Sequence, residues 1–291
     1  MWAKICAHIE NRTNVLNIVE ICTGNSGFLK VSYYLCSPKF IEKMEKRLFA
    51  VIAAILASGI LIAMCPKNAG HAVPVSLVEW KAGTTVSEAD IKAYGGLDKC
   101  FAAEPIPDAV WKRMQGKTYK QNPYIGRDDL RHIRVLHSDY DGKIHIGEMI
   151  VNKRIADVVV RIFRQLYDAK YPIQRMLLPD VYNADDEKQM RHNNSSSFCY
   201  RVVAGSSKLS KHARGLAIDI NTLYNPYYKV RKNGTRYIQP ATAAKYCNRS
   251  ASFPYKIDKN DLCYRLFTEA GFEWGGSWKS CKDFQHFEFK E

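Results

Sequence analysis

Apolar residues follow clear periodic patterns only in the C-terminal two-thirds of the chain. The segment LRHIRVLHSDYDGKIHIGEMIVN (130–152) has two alternating runs around Asp141-Gly142. This dipeptide suits a tight turn because both positions tolerate positive φ, so the pattern predicts a β-hairpin. Apolar residues then recur at helical spacing from Ile155 to Tyr167, which predicts a helix that Asn152 caps and that ends before Pro172.

The rest of this region predicts short strands, loops and one more helix. Strands are predicted for IQRMLLP (173–179), FCYRVVAG (198–205) and LAIDIN (216–221), and loops for residues 183–197 and 222–257, the latter long enough to wall a cleft. A last helix runs from about Lys259 to Ala270, with Gly271 as its C-terminal stop, and an alternating strand ends in His286. Because strands and helices do not alternate regularly, the fold class is α+β with a small antiparallel sheet flanked by helices.

The N-terminal part has a different composition. Residues 48–66 carry no charge and follow Lys43, Lys46 and Arg47, which indicates an export signal or a membrane anchor. Cleavage near Ala72, retention as an anchor and lipidation at Cys65 all remain open. Because a basic start follows Met44, residues 1–43 are interpreted as an overextended reading frame or a cytoplasmic tail. We therefore expect a signal or anchor at 44–72, a linker or short helical extension at 73–104 and the compact domain at 105–291.

The net charge limits the set of partners. The formal charge is +14, and residues 73–291 hold 35 Lys/Arg and 25 Asp/Glu. Such an excess indicates an anionic partner. The chain shows no basic block with interleaved aromatics, so we expect no nucleic acid and favour anionic wall polymers or a membrane surface. A monomer is expected, although no sequence pattern bears directly on the oligomeric state.

The stretch SKLSKHARGLAIDIN (207–221) contains the most informative candidate chemistry. If the segment after Gly215 is a strand, the turn there lets His212 fold back towards the face that carries Asp219. An aspartate in such an apolar strand needs a cation or hydrogen-bond donors around it. A catalytic zinc needs three protein ligands and an open position, and His286 is the best third candidate. Asp283 lies three residues before it and could hold a water. The alternative is a capped turn that leads into a buried strand.

These residues resemble a known family. Residues 210–219, SKHARGLAID, match the SxHxxGxAxD signature of zinc D-alanyl-D-alanine carboxypeptidases of the VanY type, to which L-alanyl-D-glutamate endolysin peptidases are related. GFEWGGSWKSCKDFQHFE (271–288) resembles the second block of that family, and the resemblance covers roughly Pro105 to Glu291. The resemblance implies a zinc peptidase with a Hedgehog/DD-peptidase-like fold that acts on peptidoglycan stem peptides, and hence an exported bacterial protein.

The resemblance also implies a role for each site residue. His212, Asp219 and His286 would bind Zn²⁺, Asp283 would be the general base, Arg201 would bind the scissile carbonyl or a substrate carboxylate, and Ser210 would support the ligands by a hydrogen bond. The cleaved bond stays open between a D-Ala-D-Ala carboxypeptidase and an L,D-endopeptidase, and a non-catalytic zinc-bearing wall-binding domain is the rival class. Because Asp283 and His286 would lie on opposite faces of an ideal strand, we expect an irregular turn near Gln285.

Overall fold

The computed structural model describes residues 4–8, 18–23, 29–33, 72–202 and 208–290. The chain divides into two compact units, Met1–Ala69 and Gly70–Glu291. In the first unit, β1 (Lys4–His8), β2 (Ile18–Thr23) and β3 (Leu29–Tyr33) form an antiparallel sheet in the order β1-β2-β3. The predicted signal or anchor at 44–72 lies outside the described residues except for Ala72. Within the described ranges, no helix has the length and apolar character needed to cross a bilayer.

The second unit contains six α-helices and ten strands within its described residues. The helices are α1 (Val75–Val78), α2 (Glu88–Tyr94), α3 (Asp108–Met114), α4 (Ala156–Asp168), α5 (Asp186–Arg191) and α6 (Leu262–Glu269). The strands are β4 (Thr85–Val86), β5 (Ala102–Glu104), β6 (Leu130–Ser138), β7 (Ile144–Asn152), β8 (Ala217–Asp219), β9 (Tyr227–Val230), β10 (Arg236–Gln239), β11 (Phe272–Trp274), β12 (Lys282–Asp283) and β13 (His286–Phe289).

These strands form three antiparallel sheets, in the orders β4-β7-β6-β5, β11-β13-β8 and β10-β9-β12. The predicted α+β class with small antiparallel sheets is therefore confirmed. The predicted hairpin is also present, because β6 and β7 pair over their full length and Gly142 has a φ of +78° in the connecting turn.

Residues 73–104 are more integrated than a linker or a short helical extension would be. Strand β4 pairs with β7 and strand β5 pairs with β6, so this segment supplies both edge strands of the largest sheet. Leu77 and Trp80 are buried against Leu136 and Ile146 of that sheet. Residues 73–104 thus pack in the same compact unit as residues 105–291, and strands β4 and β5 complete the largest sheet of that unit.

The main core lies between the hairpin, helices α4 and α6, and the sheet that contains β8. Phe163 of α4 contacts Phe267 of α6 edge to face, with ring centroids 6.3 Å apart, and Phe267 stacks on Phe287 of β13 at 4.6 Å. All three rings are fully buried, and burying one such side chain stabilises the fold by about 1.5–3 kcal/mol. This packing fixes β13, which carries His286, on a rigid base.

Helix ends agree with the sequence pattern only in part. Gly271 follows α6 with a φ of +92°, as predicted for a C-terminal stop. The predicted cap at Asn152 is wrong, since Ile155 is the residue that flanks α4. The Asn152 side chain accepts a hydrogen bond from the Arg154 amide at 3.1 Å and donates one to the Arg214 carbonyl at 3.0 Å. Its amide therefore joins the end of β7 to the turn that carries His212.

Two predicted strands are absent. Residues 173–179 form no strand, and neither do the described residues of the predicted strand 198–205. Their backbone groups pair with several elements in turn: the Phe198 amide donates to Ile150 and the Cys199 amide to His212, for example. A local apolar pattern cannot distinguish such a segment from a strand with a continuous partner. Conversely, the predicted loops contain helix α5 and the β9–β10 hairpin.

Candidate metal centre

Strand pairing brings two of the predicted ligands together. His286 on β13 lies directly opposite Asp219 on β8, and side chains of directly opposed residues share one face of a sheet. The pairing of β13 with β8 thus brings together two residues that are 67 positions apart in the sequence. A one-residue shift of this register would place His286 on the opposite face from Asp219.

The third predicted ligand reaches this face through a tight turn. His212 begins a 3-10 turn, His212–Arg214, which ends at Gly215 with a φ of +66°. A Cβ atom at Gly215 would lie 2.6 Å from the amide nitrogen of Asn152. Only glycine fits here, because it tolerates the left-handed conformation and lets the turn contact strand β7. The glycine of the SxHxxGxAxD signature therefore positions His212.

The three side chains converge within a buried cluster. His212 Nε2 lies 3.2 Å from Asp219 Oδ2 and 3.1 Å from His286 Nδ1, and His286 Nδ1 lies 3.1 Å from Asp219 Oδ1. The His212 and His286 rings are both more than nine-tenths buried. Within the described residues, this is the cluster of His, Cys, Asp and Glu side chains that could hold a metal ion.

The geometry of these donors fits a zinc ion. Ligand atoms about 2.0–2.2 Å from a tetrahedral zinc ion lie about 3.3–3.5 Å from one another. The two imidazole nitrogens are 3.1 Å apart, and each lies 3.1–3.2 Å from one of the two Asp219 oxygens. The outer nitrogens of both rings are engaged: His212 Nδ1 donates to the Ser197 carbonyl at 2.8 Å, and His286 Nε2 lies 3.2 Å from Glu288 Oε2. Such outer partners orient ligand histidines and select the nitrogen that faces the metal.

The charges of the cluster shift the pKa values of its members. Burial opposes the ionisation of Asp219, but His212 and His286 hold its pKa well below its usual range. Burial likewise lowers the pKa of His286, whereas its hydrogen bonds to Asp219 and Glu288 raise it to about 10. The cluster therefore favours a positive charge among its three inner ligand atoms. A cation that replaces the proton would meet the same arrangement of donors.

Asp283 lies beside this cluster without being part of it. Strand β12 ends at Asp283, residues 284 and 285 form a turn, and β13 begins at His286, as predicted near Gln285. Asp283 is partly buried, and its Oδ1 atom is buried and has no hydrogen-bond partner within the described residues. Burial raises the pKa of Asp283 to about 7, and the nearby charge of Asp219 adds to this effect. A buried acid with such a pKa is suited to exchanging a proton near neutral pH.

The WGG sequence shapes this turn. A Cβ atom at Gly275 would lie 2.8 Å from the Asp283 carbonyl oxygen and 3.3 Å from the His286 Cβ. Trp274 is buried and donates from Nε1 to the Phe284 carbonyl at 2.9 Å. The partly exposed Trp278 lies near His286, with ring centroids 5.2 Å apart. Both tryptophans thus pack around the turn that presents Asp283 and His286.

Arg201 and Ser210 approach the centre from the preceding segment. The Arg201 side chain is one-third exposed, and its Nε atom pairs with Asp186 Oδ2 at 3.1 Å. Burial alone would lower the pKa of Arg201, but Asp186 and other nearby acidic groups raise it, so the guanidinium stays charged. Ser210 Oγ accepts a hydrogen bond from the His212 amide at 3.2 Å. Ser210 therefore holds the backbone of a predicted ligand.

Sequence reasoning missed Glu288 and the Ser197 carbonyl as partners of the two histidine rings. Glu288 could have been found, because residues two apart in a strand share one face and His286 is therefore a neighbour of Glu288. The Ser197 carbonyl could not have been found, because a backbone oxygen has no side-chain signature. His132, His137, His145 and His192 do not join the cluster.

A comparison with known proteins finds a family match over part of the chain. Residues 204–289 match a protein-family model described as D-alanyl-D-alanine carboxypeptidase. The predicted resemblance is confirmed for this segment. It contains His212, Asp219, Asp283 and His286 but not Arg201, and it spans less than a third of the chain. No curated protein and no solved structure matches the chain. The comparison thus supports a peptidase on the basis of the segment that builds the centre.

Proposed function

We propose that the protein is a zinc-dependent peptidase that hydrolyses D-amino-acid-containing peptides of bacterial peptidoglycan, as a D-alanyl-D-alanine carboxypeptidase. The observation that carries this proposal is the convergence of two imidazole nitrogens and one carboxylate at 3.1–3.2 Å, with Asp283 as a separate, partly buried acid nearby. A partly buried carboxylate with a raised pKa beside the ligand cluster is typical of a catalytic site. The family match over residues 204–289 supports the same class of reaction.

His212, Asp219 and His286 would hold the ion. Zinc supplies a water of lowered pKa and polarises the scissile carbonyl when it is bound at such a site. Asp283 accepts the proton from the attacking water at its unpartnered Oδ1 atom and returns it to the leaving amine. Asp283 is one methylene shorter than a glutamate, and its interaction with the charges of His286 and Asp219 supports this role.

Arg201 would bind the charged group that the reaction presents. Its guanidinium interacts electrostatically with both Asp219 and Asp283. A planar guanidinium can bind a carboxylate with two parallel hydrogen bonds. The terminal carboxylate of a carboxypeptidase substrate and the carbonyl oxygen of the cleaved bond are both suitable partners. Ser210 supports the site through the His212 backbone.

We also infer that the domain acts outside the cytoplasmic membrane, because peptidoglycan lies there and because residues 48–66 are uncharged after a basic stretch. N-terminal peptide mapping of the native protein tests the start and the processing of the chain. Peptides from residues 1–43 would contradict a start at Met44.

The central experiment is the incubation of purified, zinc-loaded protein with muropeptides, followed by mass spectrometry of the products. Loss of one terminal D-alanine supports the carboxypeptidase, and a cut within the stem supports an L,D-endopeptidase. Asp283→Asn should keep zinc and lose about 100-fold or more in rate, because it removes proton transfer, whereas His212→Ala should lose zinc. Unchanged muropeptides with a fully zinc-loaded protein would support a non-catalytic binding domain instead.

A further inference from the structure

The strands next to Asp283 carry an unusual charge distribution. Residues 222–257 contain seven Lys/Arg and no Asp or Glu. Four of the seven cations are exposed on strands β9 and β10 and on the turn between them. These are Lys229, Arg231, Lys232 and Arg236, and we refer to residues 227–239 as the basic hairpin. A protein that only needs a solvated surface would intersperse acidic residues among such cations.

The basic hairpin is held in one conformation. The Arg231 amide donates to the Thr235 carbonyl at 2.8 Å, and the Gly234 amide donates to the Arg231 carbonyl at 2.9 Å. Asn233 Oδ1 accepts a hydrogen bond from the Thr235 amide at 3.1 Å. The Arg231 guanidinium lies over the Tyr237 ring, 4.8 Å from its centroid. The cations are therefore displayed on an ordered turn, which lowers the entropic cost of binding a ligand there.

The four cations are not neutralised by the protein itself. In the part of the chain that the structure describes, none of them has a carboxylate oxygen within 4.0 Å. Lys256, from the same acid-free segment, differs because it pairs with Asp258 at 3.4 Å and donates to backbone carbonyls. Exposed cations without partners attract anionic groups that come close to them.

The register of the sheet fixes where these cations lie relative to the candidate general base. Tyr227 on β9 is opposite Asp283 on β12, and Tyr228 is opposite Lys282. With a rise of about 3.3 Å per residue, Lys229 lies about 7 Å and Arg231 about 13 Å along the strand from the level of Asp283. An extended peptide covers the same distances in two to four residues.

We propose that the basic hairpin binds carboxylates of the substrate itself, two to four residues from the cleaved bond, so that the preferred substrate is an acidic peptide. This inference rests on the proposed peptidase function. A long polyanion, such as a wall polymer or nucleic acid, would fit a basic surface that continues far beyond one hairpin. The short reach from Asp283 favours the peptide that occupies the centre.

The test compares two synthetic peptides that end in D-Ala-D-Ala and differ only three residues from the cleaved bond, where one has a carboxylate and the other a carboxamide. The zinc-loaded full-length protein should show a lower KM for the acidic peptide with a similar kcat. The double variant Lys229→Glu/Lys232→Glu should raise the KM for the acidic peptide about tenfold at low ionic strength. The KM for the carboxamide peptide should not change. The matched control, Lys92→Glu/Arg161→Glu, makes the same charge change at exposed residues of α2 and α4.

Fluorescence anisotropy of the labelled peptides gives the same comparison by binding, so the result does not depend on turnover. Protein that cleaves neither peptide yet binds the acidic one more tightly would contradict the proposed function and support the hairpin's role. Equal KM and equal affinity for both peptides, or an equal effect of the control variant, would overturn the inference. If the double variant lost affinity for polyphosphate but bound both peptides as tightly as the parent protein does, the inference would be overturned in favour of a polymer site.

Discussion

The contact between His286 and Glu288 predicts how a residue outside the ligand set controls metal affinity. Glu288→Gln removes the charge that faces His286 Nε2 at 3.2 Å and keeps the shape of the side chain. Loss of such an outer partner costs about 10–100-fold in metal affinity. The Glu288 side chain is 29% exposed, so water screens part of its charge. We therefore expect the lower end of the range, about tenfold.

The effect of Glu288→Gln on zinc affinity can be distinguished from an effect on folding stability. Tenfold in affinity corresponds to about 1.4 kcal/mol, whereas a partly exposed pair contributes about 0.2–1 kcal/mol to stability. The metal-free variant should thus unfold near the temperature of the metal-free parent protein. Competition between the protein and a chromogenic zinc chelator measures the affinity, and thermal unfolding after chelation measures the stability.

Glu269→Gln is the matched control, because Glu269 is exposed at the end of α6 and its side chain forms no hydrogen bond or ion pair in the described part of the chain. It should leave zinc affinity unchanged. If Glu288→Gln bound zinc as tightly as the parent protein, the assignment of Glu288 as a partner that orients His286 would be refuted. A large fall in the unfolding temperature of the metal-free variant would instead assign Glu288 a role in folding.

The remaining predictions concern the turn, the guanidinium and a buried histidine. Gly275→Ala should lower the free energy of unfolding by about 1–3 kcal/mol and slow hydrolysis, since its Cβ would lie 2.8 Å from the Asp283 carbonyl; unchanged denaturant midpoint and rate would contradict this. Arg201→Lys should keep zinc but lose about tenfold or more in hydrolysis, because an ammonium cannot form the two-pronged contact; near-normal turnover would assign the role to another cation. His137 is fully buried, and burial lowers its pKa from 6.5 to about 4, so its neutral form contributes stability above pH 6.5 that is lost as the pH falls towards 4. Relative to His137→Asn, urea unfolding of the parent protein should show up to about 3 kcal/mol of additional acid destabilisation, and parallel pH profiles would exclude this origin.

Local sequence determined the features that need only neighbouring residues. Alternation around Asp141-Gly142 specified the hairpin, and Gly271 specified the end of α6. Apolar neighbours around Asp219 and His286 marked both as residues that need a charged or polar partner. Their convergence with His212 was expected from the motif and is present in the structure. Each of these features depends on interactions among a few adjacent residues.

Tertiary structure decided which distant groups complete these elements. Residues 173–179 and 198–202 form no strand, because their partners are scattered over several elements. The Ser197 carbonyl reaches His212 Nδ1 only because packing places it there. The pairing of β9 with β12, which sets the basic hairpin beside Asp283, depends on a register between residues 56 positions apart. Such pairings depend on the burial of whole faces, and no local pattern records them.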